Sequence, residues 1–390
     1  MTLFIPVWTQ SAQEQSEPAR SHAAEQAQTR EAPRPQVIIS PEVNPDHSVT
    51  FRFRDPNAEQ VLLALEGSKP APMQKGANGV WTITTAPLQP EYYGYSFIAD
   101  GVSLVDPSNS LIKPNLLNLT SMVFVPGPPS LPWQVNNVPH GIIHHQFYHS
   151  TVVGDDRDFY VYTPPNYNPR AKKRYPVLYL LHGYSDDASA WTAVGHANVI
   201  FDNLIAQGKM KPMIVVMPLG YGAPEIVSRT GPGFRDKELR QQNTTKFAEA
   251  LLTEVMPRVE KDYRLKTDRN DTAIAGLSMG GGEALDVGLN HLDRFAWIGS
   301  FSGAVGIGDQ DLQQEFPALS SKDNSRLRLL WVACGREDPL VGSMNRRFDR
   351  WLISQKIRFT EIWTPGVHSW MVWRDNLAHF APLLFQHGTR

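Results

Sequence analysis

The stretch AIAGLSMGGGEAL, Ala273 to Leu285, constrains this chain more than any other. A short apolar run ends at a serine held between glycines and passes at once into helix-forming residues. Gly276-Leu277-Ser278-Met279-Gly280 fits the pattern G-x-S-x-G. In that pattern the serine sits on a strained strand-to-helix turn that pushes its hydroxyl out of the sheet. Glycine two residues before and two after lets strand and helix pass closely. The helix N-terminus then offers the Met279 N–H to negative charge developing beside the serine. With glycine at about 7% of residues, the bare pattern arises by chance in roughly one chain in ten of this length. Its setting between a strand and a helix is what gives it weight. A phosphate loop is the competing glycine-rich reading, but no Lys-Ser or Lys-Thr follows these glycines. Ser278 is the expected nucleophile.

Such a turn needs a sheet around it, and the second part of the chain supplies one. DRDFYVYTPP reads as a strand. YPVLYLLHGYSDD is a fully apolar run ending in a glycine turn, which suits a buried parallel strand. ANVIFDNLIAQG reads as a helix, MIVVMPLG as a strand and KFAEALLTEVMPRVEKDY as one long amphipathic helix. FAWIGSFSG, LRLLWVACG and RFTEIWTPG are further strands, with the helix SMNRRFDRWLISQ between the last two. Apolar strands alternating with helices predict an open, mostly parallel α/β sheet. Earlier in the chain the period differs. SVTFRFRDP alternates polar and apolar residues, and QVLLALEG, GVWTITTAPL, YYGYSFIADG and SMVFVPG follow at short spacing between turn residues. That pattern predicts a small all-β sandwich. The expected division is a disordered leader at 1–36, a sandwich at 37–127, a Pro-rich linker at 128–140 and an α/β domain at 141–390.

A serine nucleophile needs a base and an acid that orients it. In sheets of this kind ligands bind beyond the C-terminal ends of the strands. LRLLWVACGREDPL supplies a strand, a glycine break and then Asp338, with Glu337 as its nearest rival. RFTEIWTPGVHSWMVW supplies a strand, a Pro-Gly turn and then His368. The chain has 12 histidines. His291, His379 and His387 lie in or beside helices and are poorer candidates, while Asp309 and Asp311 read as solvated loop. LLHGYSDDASAW places a His-Gly turn after a strand, where the Tyr184 N–H is the candidate second oxyanion donor. His182 in that turn reads as structural. HHQFYH, His144 to His149, looks like a metal site, but neighbours on a strand face opposite sides, so an exposed strand is the favoured reading. No H-E-x-x-H or His-x-His run is present, and no metal or cofactor is expected.

Bulk properties narrow the partners. The 390 residues carry a formal net charge of −2, so no basic field invites nucleic acid. No apolar run approaches the length of a membrane helix. Cys334 is the only cysteine, which excludes an intramolecular disulfide and leaves the redox compartment open. LFIPVW near the start is like the stub of a signal-peptide core but has no Lys or Arg before it, so a secreted or periplasmic location stays an open expectation.

YPVLYLLHGYSDD, AIAGLSMGGGEAL, NHLDRFAWIGSFSG and TPGVHSWMVWRDNLAHFAPLLF together resemble the feruloyl and acetylxylan esterases of carbohydrate esterase family 1, with their enterochelin-esterase and esterase D relatives. The resemblance covers Gly141 to the C-terminus. It implies an α/β-hydrolase fold, a doubly wound and mostly parallel sheet. It also implies Ser278 as nucleophile, Asp338 as acid, His368 as base, and the Met279 and Tyr184 amides as oxyanion hole. The sandwich is similar to the early-set domains, such as carbohydrate-binding module family 48, that precede some of these esterases. Trp81 and Tyr93 are its candidate sugar contacts, with core packing the favoured reading. The expected function is hydrolysis of feruloyl or other hydroxycinnamoyl esters on plant polysaccharide. Trp191, Tyr221, Trp370 and Trp373 are the candidate substrate contacts, and the Gly/Pro-rich loop GYGAPEIVSRTGPGFRD is expected over the pocket. Alternatives are an acetylxylan esterase, a siderophore trilactone esterase using Arg229, Arg235 or Arg374, and a non-catalytic carbohydrate-binding protein. Oligomeric state has no signal in the sequence.

Overall fold

The computed structural model describes residues 37–231, 233–307 and 311–386. The expected leader, Asp309 and His387 lie outside these residues.

Period-two alternation builds the sandwich. In Val61–Leu65 the odd residues are buried and Leu62 and Ala64 less so. One antiparallel sheet runs Glu42–Val43, Val49–Arg54, Val80–Thr84, Gln74–Lys75. The other runs Ala71–Pro72, Val61–Leu65, Glu91–Ala99, Thr120–Val125, Ile112–Lys113, with Val102–Leu104 paired beside Glu91–Ala99. Phe51, Phe53, Tyr95 and Phe97 fill the space between. Trp81 and Tyr93 belong to the same core, at 6% and 9% exposure, and the Trp81 Nε1 donates to the Asp55 carbonyl at 2.8 Å. Neither ring offers a face to a sugar.

The third sheet has eight strands: β1 (Ile142–Ser150), β2 (Asp155–Thr163), β3 (Val177–Leu181), β4 (Ile214–Pro218), β5 (Thr272–Leu277), β6 (Trp297–Phe301), β7 (Leu329–Gly335) and β8 (Thr360–Thr364). Their order is β1-β2-β4-β3-β5-β6-β7-β8. The β1–β2 and β2–β4 pairs are antiparallel, and every pair from β4 to β8 is parallel. Strands β3 to β6 are buried at every residue. Helices cover both faces of such strands, so no alternation remains in their sequence. Each Leu, Ile or Phe removed from water there is worth about 1.5–3 kcal/mol.

The long helix departs from expectation. It begins earlier, at Lys237, where the Asp236 carboxylate accepts from the Leu239 N–H at 2.9 Å. At Leu251–Val255 it widens into a π turn before Met256–Asp262. Pro257 has no N–H to continue the ladder there.

The Pro-rich stretch lies against the helix Ala197–Ala206. The Asn203 side-chain amide donates to the Pro132 and Gln134 carbonyls at 2.8 Å each. Asp202 accepts from the Gly141 N–H at 2.9 Å and pairs with His140 at 2.9 Å. Trp133 is 6% exposed and packs with Met122 of the sandwich. Beside it lies Arg374, which is 1% exposed. Its guanidinium donates to the Val194 carbonyl at 2.8 Å and the Tyr92 carbonyl at 2.9 Å, and pairs with Glu91 at 3.1 Å. Sandwich and α/β sheet therefore share one buried ion pair. Removing one member of such a pair costs about 3–5 kcal/mol, because the other charge is left unmatched.

Candidate active site

Ser278 follows β5 directly and has φ 52°, the left-handed region that a non-glycine residue enters only under constraint. A Cβ on Gly276 would strike the Gly280 carbonyl, and one on Gly280 would strike the His182 carbonyl. These two positions need glycine so that β5, the following helix Ser278–Asn290 and the loop after β3 can pass one another. The turn leaves the Ser278 hydroxyl partly exposed at the C-terminal edge of the sheet.

Asp338 and His368 arrive from the next loops along that edge. The Ser278 Oγ lies 2.9 Å from the His368 Nε2, and the His368 Nδ1 lies 2.7 Å from the Asp338 Oδ2. The Asp338 Oδ1 accepts from the Leu340 and Val341 N–H groups at 2.9 and 3.1 Å. Burial pushes the Asp338 carboxyl up, but the His368 contact and these two amides outweigh it and hold it below the usual carboxylate range. It stays ionised and accepts a hydrogen bond from the His368 Nδ1–H, which leaves Nε2 free to accept from the serine. Glu337 does not reach the imidazole. Its carboxylate accepts from the Gly366 N–H at 2.6 Å and braces the turn, at φ 118° for Gly366, that carries His368.

The four aromatic residues expected to touch substrate do not present ring faces to the site, which corrects that expectation. Trp191 is 0%, Trp370 2% and Trp373 6% exposed. They stack edge to face in series, Trp191 on Trp370 at 5.2 Å and Trp370 on Trp373 at 5.5 Å, and Trp373 meets the His368 ring at 4.9 Å. The series packs against the imidazole through Trp373. Tyr221 is 3% exposed and its hydroxyl donates to the Asp186 carbonyl at 2.7 Å. Arg374 is likewise no ligand for an anionic substrate, being committed to Glu91. Arg229 and Arg235 are exposed on the Gly/Pro-rich loop. That loop packs beside the site: the Tyr184 hydroxyl donates to the Ile226 carbonyl at 3.1 Å, and the Tyr184 and Phe234 rings lie 5.2 Å apart.

The loop Gly183-Tyr184-Ser185-Asp186 runs next to the serine. A Cβ on Gly183 would lie 3.3 Å from the Ser278 Cβ. His182 above it is structural: its Nδ1 donates to the Gly183 carbonyl at 2.8 Å and its Nε2 accepts from the Gly220 N–H at 2.8 Å. Burial lowers its pKa to about 4. Among the described residues neither the Met279 nor the Tyr184 N–H donates to another group, so both remain for an oxyanion.

Two contributors escape sequence reasoning. Asn115, on a sandwich loop, donates to the Ser185 Oγ at 3.0 Å and the Asp186 Oδ1 at 3.1 Å. The Leu116 N–H donates to the Ser185 carbonyl at 2.7 Å. The sandwich thus grips the loop that carries the Tyr184 amide. Asp186 is 5% exposed, and burial raises its carboxyl to about 7 although Asn115 opposes the shift. Glu283, one turn into the helix after Ser278, accepts from the Asn243 side chain at 3.0 Å, and burial pushes its carboxyl well up. Nothing near either residue in the sequence signals these contacts.

The Esterase family model matches residues 150–383. A protein of Xylanibacter ruminicola named endo-1,4-beta-xylanase/feruloyl esterase is 29% identical over 89% of this chain and 46% of its own length. A CE1 ferulic acid esterase of the anaerobic fungus Anaeromyces mucronatus superposes with a TM-score of 0.56 at 26% identity, over 65% of this chain and 93% of that one. The enterobactin esterase of Shigella flexneri superposes with a TM-score of 0.65 at 21% identity, over 87% of this chain and 93% of that one, a likeness of fold. The chain spans less than half of the length of the curated relatives it matches first.

Proposed function

The chain belongs to the Esterase family, and from that premise we propose that it is a serine esterase acting through an acyl-enzyme. The supporting observation is the relay Ser278 to His368 to Asp338, at 2.9 and 2.7 Å. His368 takes the serine proton as the Oγ attacks the ester carbonyl, and Asp338 stabilises the imidazolium that forms. The carbonyl oxygen gains negative charge between the Met279 and Tyr184 N–H groups. Each donor of this class is worth about 2.7–4 kcal/mol when removed. His368 then protonates the departing alkoxide. Water, activated by the same imidazole, attacks the acyl-serine and releases the acid. No step is routed through a metal or cofactor.

The preferred substrate is a hydroxycinnamoyl ester, feruloyl above all, on plant polysaccharide. The feruloyl and ferulic acid esterase activities for which the Xylanibacter and Anaeromyces proteins are named favour it. With the four expected aromatics buried, the Tyr184–Phe234 pair, which packs with Met279, offers an aromatic surface for a cinnamoyl ring. Methyl ferulate, acetylated xylan and a catecholate trilactone, each with wild type and Ser278→Ala, test this. Fastest turnover of methyl ferulate, abolished by the substitution, is the expected result. Preference for acetyl or trilactone ester overturns the feruloyl assignment, and full activity of Ser278→Ala overturns the mechanism.

A further inference from the structure

The β1–β2 hairpin pairs Ile143 with Tyr162, His145 with Tyr160, Phe147 with Asp158 and His149 with Asp156. Alternation puts all of them on one face. At one end that face is core, with Tyr162 at 0% exposure. It then opens to solvent along a row of rings. His145 stacks on Tyr160 at 4.1 Å and 19° between planes, and Phe147 leans on His145 at 4.2 Å. Phe147 is 72% exposed. The Asp158 carboxylate lies 2.7 Å from the His145 Nε2 and fixes the middle ring, and Asp156 sits 2.8 Å from His149 at the outer end.

We propose that this face binds the glycan chain that carries the ester. The identity of that chain rests on the esterase reading above. A sugar ring has an apolar C–H face and a rim of hydroxyl donors. The row supplies flat rings for the first and carboxylate acceptors for the second. The same carboxylates turn away phosphate or nucleic acid. Asp158, set among the rings, makes a dry protein contact costly, because its charge would lose water.

The position fits as well. Phe159 is in register with Pro218, so Asp158 and the residues before it lie at the C-terminal end of β4, the edge where β5 delivers Ser278. The Leu219 N–H donates to the Asp158 carbonyl at 3.1 Å, and the neighbouring Gly220 N–H donates to His182 at 2.8 Å. One loop thus joins the ring row to the oxyanion loop. At about 4.8 Å per strand, β2 lies roughly 14 Å and β1 roughly 19 Å from β5. A short run of sugar rings reaches from the serine to the row.

The test is native gel electrophoresis of the full chain in gels cast with soluble arabinoxylan stripped of its esters, which reads binding without cleavage. Wild type should be retarded. Phe147→Ala should lose most of that retardation, Phe147→Trp should restore it, and both should keep wild-type turnover of methyl ferulate. On feruloylated arabinoxylan Phe147→Ala should raise KM roughly fivefold to tenfold with kcat unchanged. No retardation of wild type, or equal retardation of Phe147→Ala, overturns the proposal. So does a solution dimer that Phe147→Asp dissolves, since the face would then be a contact between copies. Retardation through Phe147 without cleavage of any feruloyl ester leaves the binding face standing and removes the substrate assignment instead.

Discussion

Replacing Asp338 by Asn tests the relay more sharply than deleting it. The Asp338 Oδ1 accepts from the Leu340 and Val341 N–H groups at 2.9 and 3.1 Å. An asparagine must put its carbonyl oxygen in that seat, because an NH2 there would face two donors. Its NH2 then takes the seat 2.7 Å from the His368 Nδ1. Donor meets donor, and the ring answers by carrying its proton on Nε2, leaving Nδ1 to accept. The Nε2–H now faces the serine oxygen at 2.9 Å and cannot take its proton. In the Ser-His-Asp template this wrong tautomer lowers kcat by ~10⁴-fold, about 5.4 kcal/mol. Ser278→Ala should lose more, on the order of 10⁶-fold. Initial rates of methyl ferulate hydrolysis measure both, with circular dichroism and a thermal melt to confirm folding. The loss should fall on kcat, since substrate binding does not use the tautomer. Glu337→Gln keeps an acceptor for the Gly366 N–H and should run near the wild-type rate. A loss under tenfold for a folded Asp338→Asn, or a larger loss for Glu337→Gln, would refute the tautomer argument.

Other outcomes follow from the same geometry. Asp186, raised to about 7 from an ordinary 3.8, binds its proton more tightly in the folded chain, so it subtracts stability as pH rises from about 4 through 7. Asp186→Asn should therefore gain in melting temperature over wild type as pH rises across that window, and a constant difference counts against it. Asn115→Ala removes two hydrogen bonds from the oxyanion loop and should cut kcat for methyl ferulate roughly tenfold with little change in KM; an unchanged kcat means the sandwich does not position that loop. A chain starting near Pro139 lacks Asn115, Glu91 and Trp133 and leaves Arg374 unpaired, so it should aggregate or lose small-ester activity, whereas full-length rates from it would separate the two parts. Activity should survive a chelator, and loss restored by zinc would replace the mechanism with a metal-dependent one.

Local pattern reaches a long way in this chain. The run of buried strand, left-handed serine and helix is written in AIAGLSMGGGEAL, because glycine is demanded wherever backbone meets backbone. Asp338 and His368 are legible for a related reason: each follows a strand and a glycine turn, three residues past Gly335 and two past Gly366, at the edge where β5 ends. The π turn at Leu251–Val255 was within reach of Pro257, but its cost is small and local, and amphipathic spacing outweighed it.

Aromatic residues were misread for a physical reason. A tryptophan beside a catalytic histidine has the same sequence whether its face meets substrate or its edge meets another tryptophan. Only the packing of Trp191, Trp370 and Trp373 decides, and it buries all three. Contacts across the two parts of the chain are equally silent. Asn115 and Asp186 are 71 residues apart, and Arg374 and Tyr92 are 282 apart. Their pairing depends on how the sandwich rests on the sheet, and no residue's own neighbours in the chain encode that. Sequence alone placed Ser278, Asp338 and His368 at loop ends that the structure brings within hydrogen-bond reach, since each follows a strand and the turn after it. Tertiary structure decided which rings are buried, which carboxyls burial pushes up and which distant loop holds the Tyr184 loop, because burial and long-range hydrogen bonds exist only once the chain has closed on itself.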